Sequence, residues 1–166
     1  MARIGTGYDG DAERIASAPG DPLILLRNVH AAKLALCDRL EAIADRLPAD
    51  VSGSECEAAA RTVVPLLENA HRFEEGVVFP LCERLSPGSL AVAGSLDRLA
   101  GEHREDASYG EEVAEALLQV GDARPMPGAE ALGFMLRGFF GSLRRHIAFE
   151  QDFVAMIAET ARLGGR

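Results

Sequence analysis

The 166-residue chain has no tryptophan, only two tyrosines and an aromatic content of 5%. Its three cysteines, Cys37, Cys56 and Cys82, are odd in number and widely spaced, with no CxxC pair. That fits reduced thiols in a cytoplasmic protein better than a disulfide framework or a zinc-thiolate site. No apolar run approaches the 18 residues a membrane-spanning helix requires, and the N-terminal stretch has no apolar signal-peptide core. A soluble, cytoplasmic protein with no membrane partner is the default expectation. Net charge is −9 with a sequence pI of about 4.9, and the arginines are scattered, so nothing favours nucleic acid as a partner. Alternating β-branched runs are also scarce, which leaves little material for sheets.

What the chain does have is apolar content, 48%, in long Ala/Leu/Glu/Arg stretches of helical period. Residues 1–20 are rich in Gly, Asp and Ala and read as an irregular leader. Four periodic segments follow, making residues 21–163 one domain. The first opens at Asp21-Pro22, an N-cap followed by proline at the first helical position, and ends at Pro48. Its stripe runs Leu23, Leu26, His30, Leu34, Cys37, Leu40, Ala44 and Leu47. The second opens at Ser54-Glu55-Cys56-Glu57, read as a capping box, and carries Val64, Leu67, His71, Glu75, Val78 and Cys82. Pro65 predicts a kink or break in it, and Pro80 a bend. After Ser86-Pro87-Gly88 the third carries Val92, Leu96, Leu99, His103, Asp106, Gly110, Val113, Leu117 and Val120. Beyond the Gly121–Gly128 linker the fourth carries Leu132, Leu136, Phe139, Leu143, His146, Glu150, Phe153 and Ile157. The spacing predicts an all-α, antiparallel up-down four-helix bundle.

The chain has four histidines, and each falls on the inward stripe of a different segment. Counting from the predicted helix ends, His30 and His71 both lie about 17 residues from the loop that joins their helices. His71 and His103 lie about 14 residues from theirs, and His103 and His146 about 17. All four imidazoles therefore meet in one layer at mid-bundle. Glu75 follows His71 by four and Glu150 follows His146 by four, so each pair projects from one helix face. Glu74 and Glu102 read as solvated acids beside the layer, and Glu75 is preferred over Glu74 because a four-residue offset best overlays His71. A buried carboxylate needs a strong partner. Mixed imidazole and carboxylate donors without thiolate suit iron, manganese or zinc rather than calcium or magnesium. Six donors exceed what one tetrahedral ion takes, and bridging carboxylates would let two metals share the cavity.

This set resembles the hemerythrin-like (HHE cation-binding) family. The elements are a histidine on helix one, His71-x-x-x-Glu75 on helix two, a histidine on helix three and His146-x-x-x-Glu150 on helix four. "FEEGVVFP" after His71 adds to the likeness, which spans about Leu23 to Ile157. The resemblance implies two iron ions in a non-haem centre, with Mn or Zn as substitutes and O2, NO or redox state as ligand or signal. It implies Glu75 and Glu150 as bridges, His30 and His71 on one iron, and His103 and His146 on the other. The oxygen carriers of the family have a further histidine one turn after the helix-three ligand, where this chain has Ala107. Water, Asp106 or Glu102 would have to complete that iron, and the more open shell favours sensing or redox chemistry over stable O2 carriage.

Other readings follow from the same donors. A di-iron oxidoreductase acting on NO or peroxide and an iron-storage or handling protein use the same ligand set, so enzymatic activity stays open. The ferritin-like pattern needs two Glu-x-x-His pairs, and only Glu68–His71 has that spacing. A haem site between two histidines leaves the glutamates unexplained. Cys37 and Cys82 read as core packing, and Gly133, Gly138 and Gly141 as points of close helix approach. Oligomeric state is not legible in the sequence.

Overall fold

The computed structural model describes residues 20–121 and 128–164. Except for Gly20, the expected leader lies outside the described residues, as does most of the linker after Gly121. The described chain forms helices α1 (Pro22–Arg46), α2 (Gly53–Phe73), α3 (Phe79–Leu85), α4 (Leu90–Gly121) and α5 (Ala129–Gly164). A π-turn, Glu74–Val78, joins α2 to α3, so these two make one rod and the bundle has four. Among the described residues there is no strand, and no helix is long and apolar enough to cross a membrane.

Local chemistry sets the ends. Asp21 accepts the Leu23 N–H at 2.8 Å with Pro22 behind it, starting α1 as the sequence indicates. The cap of α2 is Ser52 rather than Ser54: its hydroxyl accepts the Glu55 N–H at 3.1 Å, and Glu55 turns to Arg46. The N-cap therefore lies two residues earlier than expected, and with Glu55 turned to Arg46 only the serine half of a capping box is formed. Pro65 lies inside an unbroken α2, so the expected break there is absent. Pro80 does act. It has no N–H to give and its ring crowds the carbonyl four residues back, at Gly76. The backbone widens instead, and the Phe79 N–H bonds to the Glu74 carbonyl five residues back.

The tightest pairings are α2 with α4 and α1 with α5. Gly110 makes the first possible, since a Cβ there would come within 2.7 Å of Leu67. Gly138 makes room for Tyr109, whose hydroxyl donates to the Met135 carbonyl at 2.8 Å. Gly133 and Gly141 meet mainly arginine side chains, so the close helix approach expected of all three rests on Gly138 alone.

The core is split in two. One apolar cluster gathers Leu36–Ala44, Cys56–Leu67, Val113–Leu117 and Leu132–Ile147 from the four rods. The other gathers Leu26, Val78, Cys82, Val92, Leu96, Leu99, Phe153, Val154 and Ile157. Between the two clusters each rod contributes buried polar side chains. Cys37, Cys56 and Cys82 are buried free thiols. Burial pushes Cys37 and Cys82 up to about 11, which keeps them as inert packing groups.

Candidate metal centre

The polar layer comprises His30 and Lys33 of α1, His71 and Glu74 at the end of α2, His103 and Asp106 of α4, and His146 and Glu150 of α5. All eight are buried, and Lys33, Glu74 and Glu150 have no exposed surface. The four histidines do converge. The His71 and His103 rings stack with centroids 4.1 Å apart, and His146 is 5.0 Å from His103. His30 lies across the layer, its Nε2–H donating to Glu150 Oε2 at 2.7 Å. Phe79 stacks on the far side of His103 and closes the layer towards α3.

The inward carboxylate of the second rod is Glu74, which corrects the preference for Glu75. Positions three and four residues after His71 lie on nearly the same helix face, so the offset alone does not choose between them. In the folded chain Glu74 points into the layer, where two histidines and a lysine face it. Glu75, with its side chain about half exposed, turns to the rim and accepts the His103 Nδ1–H at 2.7 Å. That contact fixes the ring of His103 and aims its Nε2 at Glu74 Oε2, 3.2 Å away. A carboxylate behind a histidine is the usual outer support of a metal-binding imidazole.

Lys33 is the residue the sequence reading missed. Its Nζ donates to Glu74 Oε1 at 2.6 Å from a site with no solvent exposure. The stripe expected on the first helix runs through Leu34, but the structure turns Lys33 inward and leaves Leu34 only partly buried. The available signal was spacing: Leu26, His30, Lys33 and Cys37 advance by four, three and four.

Charge in the layer follows from these contacts. Burial opposes ionisation of Glu74, yet His103 and Lys33 outweigh it and hold the carboxyl at about 2. Burial, reinforced by the cationic neighbours His103 and Lys33, lowers His71 to about 3. Burial and Lys33 do the same to His146, also about 3. Both imidazoles are thus neutral at ordinary pH, the form that ligates metal. For His103 burial is overcome by Glu74 and Glu75, and its affinity for a proton rises. Burial lifts the Asp106 carboxyl to about 6.

Two triads of ligand atoms lie within 4.8 Å of one another: His71, Glu74 and His103, and His30, Glu74 and Glu150. Glu74 belongs to both. These groups follow helix adjacency, α2 with α4 and α1 with α5, where the resemblance implies His30 with His71. His146 adjoins the second triad, its Nε2 4.0 Å from Glu150 Oε2. Glu102 and Asp106 lie at 3.1 and 3.6 Å from the other nitrogen of His146, Nδ1, and so occupy the outer edge of that ring. Several buried polar atoms have no hydrogen-bond partner: His71 Nε2, Glu74 Oε2, His103 Nε2, Asp106 Oδ2, both His146 nitrogens and Glu150 Oε1. Buried polar atoms are normally paired, so a concentration of unpaired donor atoms at the centre of the bundle fits a cation between them.

The hemerythrin HHE cation-binding domain matches residues 21–157. The chain belongs to that family. No curated protein and no solved structure matches it. Membership and geometry agree at the level both address, a cation-binding hemerythrin-like bundle whose His/Glu groups can hold metal.

Proposed function

We propose that this hemerythrin-like chain carries a non-haem di-iron centre through which it binds or senses O2, NO or redox state. The observation that carries the reading is the position of Glu74, a single buried carboxylate that completes two triads at once. Its Oε2 faces His103 at 3.2 Å, while Oε1 is 3.9 Å from His30 in the group that contains Glu150. A carboxylate so placed suits a bridge between two metals, with Glu150 as the second acidic ligand. Four imidazoles and two carboxylates, without thiolate, are a donor set iron accepts, and Mn or Zn are the substitutes such donors admit. Iron held by these residues would supply reversible redox change and a place for a diatomic ligand. The chain's own part is to hold the His71 and His146 imidazoles neutral, to set rings through contacts such as Glu75 on His103, and to shield the layer with an apolar cluster on either side.

Anaerobic titration of the chelator-stripped chain with ferrous iron should saturate at about two ions per chain. A charge-transfer absorption should appear and change on exposure to O2 or NO. Binding below about half an ion per chain at saturation contradicts the reading. Loading well above two ions identifies a storage protein, and sustained turnover of NO or peroxide with a reductant identifies an oxidoreductase.

A further inference from the structure

The two triads that share Glu74 are not equivalent. In the first, His71 Nε2 has no hydrogen-bond partner among the described residues, and Glu74 Oε2 faces only another candidate ligand, His103 Nε2, at 3.2 Å. In the second, only Glu150 Oε1 is unpaired among the described residues, and the other ligand atoms are engaged. His30 Nε2 donates to Glu150 Oε2 at 2.7 Å, and the remaining oxygen of Glu74, Oε1, accepts from Lys33 Nζ at 2.6 Å. One oxygen of the carboxylate thus faces imidazole nitrogens that can themselves ligate a cation, and the other is closed by the Lys33 ammonium, which cannot. A like charge this close, screened poorly because the layer is buried, opposes the arrival of a cation at the closed face.

We propose that Lys33 holds the place of the second ion, so that the two halves of the centre load in sequence. The first ion enters among His71, Glu74 and His103 with Lys33 still bound to Oε1. The second enters beside His30 and Glu150 only as the Lys33 side chain withdraws from Glu74. Lys33 is therefore a positioning residue that sets the spacing of the two affinities, and with it how often the centre is half loaded. The inference rests on the two-metal reading above, and its test separates the two.

The full-length chain, stripped with chelator, is titrated anaerobically with ferrous iron against a competing chelator. The wild type should show two steps, the second weaker by about ten-fold or more. Lys33→Met removes the charge at nearly constant length and should bring the steps within about three-fold of each other. Lys33→Gln, which keeps a donor for Glu74 Oε1 without the charge, should do the same and provides the readout if the methionine variant does not fold. A merely structural role for Lys33 would lower melting temperature but leave the ratio of the two steps alone. Two indistinguishable steps in the wild type overturn the proposal, as does a wide gap that persists in the folded neutral variants. No iron bound by any of the three chains contradicts the two-metal reading itself and this inference with it.

Discussion

Glu74→Ala should abolish iron binding and unfold at markedly lower temperature, whereas Glu75→Ala should retain a folded, iron-binding chain of reduced affinity. The two residues are neighbours in sequence and differ in what they face. Removing Glu74 takes the shared ligand from both triads and leaves the fully buried Lys33 ammonium without a hydrogen-bond partner among the described residues. Breaking one side of a buried ion pair costs about 3–5 kcal/mol, because the other charge stays in the dry interior. Glu74→Gln separates the two effects. It preserves volume and a carbonyl acceptor for Lys33, so it should melt closer to the wild type and still fail to bind iron. Removing Glu75 costs only the contact that orients His103, and loss of such an outer partner typically weakens metal binding about 10–100-fold. Metal analysis and thermal melts of the three variants check all of this. Equal iron content in Glu74→Ala and the wild type would return the bridging role to Glu75.

The second large effect is on pH. The metal-free chain should lose stability as pH falls from 7 to 4, most steeply below about 6.5. His71 and His146 are held at about 3 in the fold, chiefly by burial, against an ordinary value of 6.5. The unfolded chain therefore takes up protons at these two positions first, and their contribution is complete above 6.5 and lost on the way down to about 3. Glu74, at about 2 against 4.5, adds to the loss below pH 4.5. Two groups act oppositely. The raised His103 stabilises the fold below 6.5, and Asp106, lifted to about 6 from 3.8 by burial, is relieved between those values. Two imidazoles pushed well below their ordinary value by burial outweigh them. Urea midpoints of chelator-treated protein at pH 7, 5.5 and 4 read this directly. A midpoint that rises on acidification would mean the imidazoles are not held neutral. Bound iron should protect the fold at pH 7 and be released through the same acid range, because the proton and the metal compete for one lone pair.

Much of this centre was legible without coordinates because helices repeat. Four histidines on four inward stripes at matching distances from the loops can only meet in one layer, and they do. Glu150 was equally legible, with Leu143, His146 and Phe153 marking its face. Glu74 was not. Three and four residues after His71 differ by one position across the same stripe, and the π-turn imposed by Pro80 begins at that position. Lys33 was illegible for another reason. A lysine on a helix is normally solvated, and only a carboxylate delivered from another rod makes its complete burial tolerable. Pairwise grouping of the ligands depended on which rods pack most closely, which no stripe records.

The central claim is that Glu74 sits between two metals. Crystals of the iron-saturated protein, measured at the iron absorption edge, test it most directly. Two anomalous peaks should flank Glu74, one among His71, Glu74 Oε2 and His103 and the other beside His30, Glu74 Oε1 and Glu150. Peaks that flank Glu75 instead, or a single fully loaded iron with Lys33 still bound to Glu74, would contradict it.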